Sequence, residues 1–222
     1  LLDQFIDGFV FFSGYDNYNF IKKIHTKNVP IVALDKELND PDIPTVIVDN
    51  FKAFEDMVDY LCNLGHKKIG IFSFTYDYQT TVRLRFEGYC SGLKKNNIEF
   101  DPDLVIIEQS VRMNEIIGTY KNVKRFLKKG KIPTAFITVA DVFAYGLMRA
   151  LKEEGFNIPE DISVVGFDNI VFSEFSDPLL TTVKQPKKRL GNTAMNLLID
   201  MIEGKEVKQK RIVLPTELIE RN

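Results

Sequence analysis

Short apolar runs alternate along the chain with longer segments that carry apolar residues at helical spacing. After Asp49, for example, Phe54, Val58 and Leu61 recur every three or four residues before Gly65. Asp49 and Asn50 are N-cap candidates for that helix. Such alternation predicts βαβ units, a mostly parallel sheet and an α/β fold class. Strands are predicted at 6–12, 30–34, 45–48, 68–74, 104–107, 135–139, 162–167, 211–214 and 217–219, and further helices around Ile21 and at 81–95, 114–129, 142–154 and 186–203.

Acidic residues follow several of the predicted strands. Asp35 ends one apolar strand, Asp168 ends another, and Asp141 lies just beyond a third. Parallel sheets of this class bind ligands beyond the carboxyl ends of their strands. Any one of these acids alone is more often a helix cap or a turn former. Because several converge on one kind of position, the pattern favours a ligand site.

Charge and composition restrict the class of partner. The 222 residues include 29 basic and 31 acidic side chains, so the net charge is −2. Duplex DNA is bound mainly through neutralised phosphates, and this balance argues against DNA binding by the chain itself. No apolar run is long enough to cross a membrane, and no signal peptide is present. Cys62 and Cys90 lie on apolar helical stripes as free thiols, which favours a cytoplasmic location.

Catalytic and metal-binding signatures are missing from the sequence. There is no glycine-rich phosphate loop, no His-Glu-x-x-His and no paired Cys-x-x-Cys. The two histidines, His25 and His66, leave little material for a histidine-based metal site or catalytic triad, and His66 is interpreted as a structural turn residue. The expectation is a protein that is not an enzyme and has neither cofactor nor metal.

A series of motifs follows in order over nearly the whole chain. Ile6-Asp7-Gly8-Phe9-Val10 is similar to a V-D-G-I-I strand, and Val29 to Asp35 is similar to I-P-V-V-x-x-D. Arg85 stands at the arginine of an R-x-x-G-F motif. Further motif segments are Val48-Asp49-Asn50, Leu64-Gly65-His66, Asp141 to Gly146, Ile158 to Asn169, Leu180 to Pro186 and Leu214 to Ile219. In this order the motifs resemble the effector domain of the lac-repressor (LacI/GalR) family of transcriptional regulators.

The resemblance implies two Rossmann-like lobes with parallel sheets, joined by crossing hinge strands, as in type I periplasmic binding proteins. Residues 1–49 with 186–212 would form the amino lobe, which is incomplete at its start. Residues 50–185 with 213–222 would form the carboxy lobe. A DNA-binding head would precede Leu1, so the chain is expected to be part of a longer protein.

By motif position, the resemblance makes Asp35, Arg85, Asp168 and Gln185 ligand contacts in a cleft between the lobes. Asp141 and Ser13 are further candidates. Carboxylates accept hydrogen bonds from vicinal hydroxyl groups, and a guanidinium donates to hydroxyl or carboxylate oxygens. Alternatives stay open: Arg85 as an ion-pair partner that holds its helix, Asp168 as a cap, and Gln185 as a bridge between the hinge strands.

The expected function is the sensing of a small sugar-like effector that controls operator binding through the missing head. Ala140 stands where the family usually has asparagine, which favours an effector that differs from common hexoses, is smaller, or is phosphorylated. The apolar segment Val171 to Phe175 predicts a homodimer contact. The alternative is an extracytoplasmic sugar-binding protein of a transporter. An enzyme of sugar or nucleotide metabolism is the third hypothesis.

Overall fold

The computed structural model describes residues 6–12, 21, 29–38, 40–74, 80–108 and 115–221. Ser13 and His25 lie outside these residues. The described chain divides into two compact units, one large and one small. The small unit contains the described residues up to Asp49, together with Thr80, Thr81 and Pro186–Pro215. The large unit contains the described residues of 50–77 and Val82–Gln185, and the chain from Thr216 onward.

The small unit is built on a parallel sheet of four described strands. Their order is β1-β2-β3-β9, with β1 at Phe9–Phe11, β2 at Ile31–Leu34, β3 at Thr45–Val48 and β9 at Arg211–Leu214. Helix α5, Lys187–Ile202, packs against the first three of these strands. β3 is an inner strand of this sheet, and all four of its residues are buried.

The large unit is built on a sheet of six described strands in the order β10-β8-β7-β6-β4-β5. All its pairings are parallel except that of β10 with β8. The strands are β4 Ile69–Phe74, β5 Val105–Glu108, β6 Ala135–Thr138, β7 Ser163–Asp168, β8 Thr181–Lys184 and β10 Glu217–Ile219. The helices are α1 Asn50–Asn63, α2 Thr80–Lys95 (from Val82 onward in this unit), α3 Glu115–Leu127 and α4 Asp141–Glu153.

The α/β class predicted from the hydrophobic pattern is confirmed. The largest difference in bounds concerns the first strand, which was predicted over 6–12 and spans only Phe9–Phe11. Its partner β2 begins after Pro30, which has no backbone N–H, so pairing starts with the N–H of Phe9 donating to the carbonyl of Pro30. Within the described residues, no helix combines the length and apolar character needed to cross a membrane.

Candidate ligand-binding site

The carboxyl edge of the large unit's sheet gathers most of the candidate side chains. In parallel strands the carboxyl ends lie at the same edge, so β4, β6, β7 and β8 all end there. Asp168 is the last residue of β7, and Gln185 directly follows β8. Arg85 reaches the end of β6 from helix α2. The large unit therefore brings three of the predicted ligand contacts to one edge.

Arg85 is nearly buried and is held in a fixed orientation. Its Nε donates to Oδ1 of Asn50 at 2.8 Å, and its Nη1 donates to the carbonyl of Val139 at 2.7 Å. The guanidinium carbon lies 4.0 Å from the centroid of the Phe167 ring. An aromatic face attracts a cation in this position. Arg85 is thus a preorganised planar donor beside β6 and β7.

Asp168 stands at a bend with unusual backbone geometry. Its φ is 118° and that of Asn169 is 45°, so two consecutive residues other than glycine have positive φ. Nε2 of the nearly buried Gln185 donates to Oδ1 of the half-buried Asp168 at 2.6 Å. The structure therefore joins two of the predicted contacts directly, at the ends of β7 and β8.

Asp141 is placed differently, because its side chain is enclosed by the protein. The residue is 0% exposed. Its Oδ1 accepts from the Thr182 hydroxyl at 2.5 Å, and its Oδ2 accepts from the Ser173 hydroxyl at 2.7 Å and the Ile170 N–H at 2.9 Å. Burial raises the pKa of this carboxyl, while the three hydrogen bonds act in the opposite direction. Asp141 therefore satisfies donors of its own chain.

A clamp from the C-terminal end of the described chain also holds the bend after β7. Nη2 of Arg221 donates to Oδ1 of Asn169 at 2.8 Å, and its Nη1 donates to the carbonyl of Leu180 at 2.6 Å. The N–H of Arg221 donates to the hydroxyl of Thr181 at 3.0 Å. The side chain of Arg221 is only 10% exposed, so these bonds are shielded from water.

The small unit places Asp35 at the carboxyl end of β2, the equivalent position in its own sheet. Asp35 has φ 55°, and its N–H donates to the carbonyl of Val46. The next residue, Lys36, is buried, which is unusual for a lysine. Its carbonyl accepts from the hydroxyl of Thr45.

Several residues of the site were not predicted to take part in it. Asn50 was interpreted only as a helix cap, yet it is the buried first residue of α1 and fixes Arg85. Its motif, Val48-Asp49-Asn50, was a signal that could have been used. Thr182 donates to Asp141, 41 residues away, and Arg221 donates to Asn169, 52 residues away. Nothing in the local sequence indicates these contacts.

Two other polar groups of the large unit have structural partners. Glu55, Asp56 and Asp59 lie close enough together to share a cation, but Lys52 and Lys95 form ion pairs with them. The ring of His66 bonds to the hydroxyls of Thr134 and Ser163, near the starts of β6 and β7. Burial lowers the pKa of His66. This geometry fits the structural interpretation of His66 made from the sequence.

Comparison with known proteins gives consistent matches. Residues 58–222 match the family model described as periplasmic binding protein-like domain. The HTH-type transcriptional repressor CytR of Escherichia coli is 33% identical over 192 residues, 86% of this chain and 55% of that protein. This chain therefore spans about half the length of that relative.

Solved structures of similar proteins have the same fold. A regulatory protein of LacI family from Chloroflexus aggregans aligns with TM-score 0.88 at 27% identity, over 97% of this chain and 76% of that one. A LacI family transcriptional regulator from Enterococcus faecium with bound ribose aligns with TM-score 0.85 at 29% identity, over 97% of this chain and 79% of that one. The chain thus belongs to the periplasmic binding protein-like domain family and corresponds to the effector-binding domain of LacI-family transcriptional regulators.

Proposed function

We propose that this chain binds a sugar or sugar derivative at the carboxyl edge of the large unit's sheet, and that binding controls the DNA affinity of a cytoplasmic transcription regulator. The observation that supports this most is the presence of two preorganised polar groups at that edge. Arg85 lies over the ring of Phe167, and Gln185 holds Asp168 by a hydrogen bond. We propose no catalytic role for the chain, since the relatives are regulators rather than enzymes.

The chemistry of these groups suits a polyhydroxylated ligand. A carboxylate accepts hydrogen bonds from adjacent hydroxyl groups, and a guanidinium donates to hydroxyl oxygens. Ala140, the N-cap of α4, brings no side-chain hydrogen bond. Because alanine has no polar side chain to offer a ligand, we expect a ligand with fewer polar groups near Ala140 than a common hexose has. The ribose bound to the Enterococcus faecium regulator makes pentoses the first compounds to test.

A ligand screen tests the proposal. Purified protein is melted in the presence of D-ribose, other pentoses, hexoses, sugar phosphates and purine bases. A ligand at about 100 times its Kd stabilises the native state by about 2.7 kcal/mol, which raises the melting temperature by several degrees. We expect a sugar or sugar phosphate to do this. A rise with purine bases alone would contradict the proposed ligand class.

Variants test the predicted contacts residue by residue. Calorimetric titration of the best compound is repeated with Arg85→Met and Gln185→Ala, and with Asp103→Ala as an exposed control. We expect both site variants to bind about tenfold more weakly or worse. Unchanged affinity in both would remove these residues from the site. Asp35→Ala and Ser13→Ala test the two remaining predicted contacts separately.

We also propose that the protein is a homodimer that uses the 3-10 turn Val171–Glu174 and the residue after it. Val171, Phe172 and Phe175 are 64%, 65% and 77% exposed. Ser173 of the same turn is buried and bonds to Asp141 and Tyr145, so the turn is anchored while its apolar side chains face outward. Three exposed apolar side chains in a turn and the residue after it are typical of an interface.

Light scattering tests the dimer. We expect a dimer mass at micromolar concentration, and a monomer mass after Phe172→Asp, because a buried interface does not accept an unpaired charge. A monomer mass for the unmodified chain would contradict the proposal.

We expect no sequence-selective mobility shift when this chain alone is mixed with DNA. Its net charge is −2, and the DNA-binding head is proposed to lie elsewhere in the whole protein.

A further inference from the structure

The enclosed carboxylate of Asp141 is connected to the bend that carries Asp168. The N–H of Ile170 donates directly to Oδ2 of Asp141. The N–H of Asn169 donates to the Thr182 hydroxyl at 3.4 Å, and that hydroxyl donates to Oδ1 of Asp141. Both peptide N–H groups that follow Asp168 are therefore held by Asp141, one directly and one through Thr182.

This bend needs such support because of its backbone conformation. Asp168 and Asn169 have φ values of 118° and 45°, in a region that residues with a Cβ rarely adopt. Conformations of this kind persist when the surrounding structure over-determines them. The Asp141 carboxylate contributes two acceptor oxygens inside the protein, where hydrogen bonds are electrostatically stronger than in water.

The position of Gly166 fits the same arrangement. A Cβ built on Gly166 would lie 2.2 Å from Oδ1 of Asp141 and 2.9 Å from Cδ2 of Leu180. No side chain fits between strand β7 and the carboxylate, so the absence of a Cβ lets the carboxylate lie directly against the strand. The strand that presents Asp168 is thus shaped around Asp141.

We infer that Asp141 is a positioning residue: through Ile170 and Thr182 it fixes the bend of residues 168–170, and so sets the orientation in which Asp168 meets a ligand. The inference rests on the proposed ligand contact of Asp168. It departs from the expectation that Asp141 is itself a ligand contact, and it gives Thr182 a function that the sequence did not indicate.

Amide exchange measured by NMR tests the inference without any ligand. Two variants interrupt the network, Asp141→Asn at its centre and Thr182→Val at one arm. Thr138→Val is the matched control, because Thr138 is also fully buried in this sheet but donates to the carbonyls of Ala140 at 3.0 Å and Val165 at 3.5 Å rather than to Asp141. We expect exchange of Asn169 and Ile170 to accelerate about tenfold or more in Asp141→Asn. In Thr182→Val we expect this chiefly at Asn169.

The control variant separates local release from general destabilisation. In Thr138→Val, exchange at Asn169 and Ile170 should stay within the change seen for the rest of the sheet. If both amides keep their wild-type exchange in Thr182→Val, or if Thr138→Val releases them equally, the inference is overturned. Thr182→Val keeps the test decisive should Asp141→Asn fail to fold.

A double-mutant cycle then measures the effect on binding, with the best sugar of the screen as the probe. Asp168→Gly removes the side chain, and glycine tolerates the positive φ of that position. We expect Thr182→Val to weaken affinity about tenfold in the wild-type background and less than about twofold in Asp168→Gly, since its effect passes through Asp168. Additive effects would overturn the inference. If no sugar binds the wild-type chain, the proposed function fails, while the exchange result still decides the role of Asp141.

Discussion

The ends of strands β6 and β7 are adjacent in one sheet, carry the same side-chain type, and use it in opposite ways. Asp141, just past β6, is fully buried and accepts from three donors, Ile170 and Ser173 in one segment and Thr182 in another. Asp168, which ends β7, is half-buried and is held by Gln185 on a bend with positive φ. Asp141 is therefore a structural group of the fold, whereas Asp168 is the carboxylate that we propose as a ligand contact.

The comparison also explains how the edge of a parallel sheet can be both polar and stable. A polar group that is to meet a ligand must be oriented before the ligand arrives, and neighbouring buried groups supply that orientation. Here Arg221 holds the bend after β7 through its hydrogen bond to Asn169. Asn50 and the ring of Phe167 likewise hold the guanidinium of Arg85 in place. Substitutions should therefore separate into those that cost stability and those that cost affinity.

The largest effect is expected from Asp141→Ala. Two buried hydroxyls and one peptide N–H would lose their acceptor, and each such loss costs about 1–3 kcal/mol. Part of that is offset because the buried charge disappears as well, so we expect a loss of about 2–4 kcal/mol in the free energy of unfolding of the large unit. Urea denaturation measures it, with the exposed Asp103→Ala as control. A loss as small as that of the control would erase the distinction between the two aspartates.

The reverse pattern is expected from Asp168→Gly. Hydrogen bonds to charged groups contribute about 1.5–3 kcal/mol each, so sugar affinity should fall about ten- to a hundredfold. The unfolding midpoint should change much less than in Asp141→Ala, because the side chain is half-buried and glycine accepts the backbone conformation. Calorimetric titration and urea denaturation of the same preparation measure both. Retained affinity would show that the ligand lies elsewhere.

A smaller effect is expected from Arg221→Met, which removes the second clamp on the bend. The nearly buried guanidinium bonds to Asn169 and Leu180, so we expect a loss of about 1–2 kcal/mol in stability and a weakening of sugar binding by a few fold. Arg83→Met is the matched control, since Arg83 is exposed and forms an i,i+4 pair with Glu87 worth at most about 0.5 kcal/mol. Equal losses in both variants would show that the clamp contributes nothing special.

The smallest effect is a pH dependence assigned to Asp141. Burial raises its pKa above the ordinary value of 3.8, so the folded state holds the proton more tightly than the unfolded state. The stability from this group is present below the unfolded pKa and is lost as pH rises through the folded pKa. Relative to Asp141→Asn, the wild type should lose stability as pH rises from about 4 upward. Urea denaturation across this range measures the difference, and a gap that widened in favour of the wild type would reverse the assigned shift.

Much of the framework could be predicted from local pattern. The spacing of apolar residues predicted the bounds of helices α1 to α5 to within two residues. The periodicity of apolar residues in a helix or strand follows from which of its faces is buried. The placement of Asp35 and Asp168 at strand ends followed from the same pattern, as did the exposed apolar turn after β7. The ordered family motifs made Arg85 and Gln185 predicted ligand contacts, which periodicity alone does not distinguish from other polar residues.

The sequence by itself therefore determined the order of the elements, the fold class and the set of polar groups at the strand ends. Only the tertiary structure decided what each polar group does. Asp141 and Asp168 look alike as residues at strand ends, and the donors that distinguish Asp141 come from positions 29, 32 and 41 residues further along the chain. Whether a carboxylate meets solvent or its own protein depends on packing between such distant segments, and local periodicity carries no information about that packing.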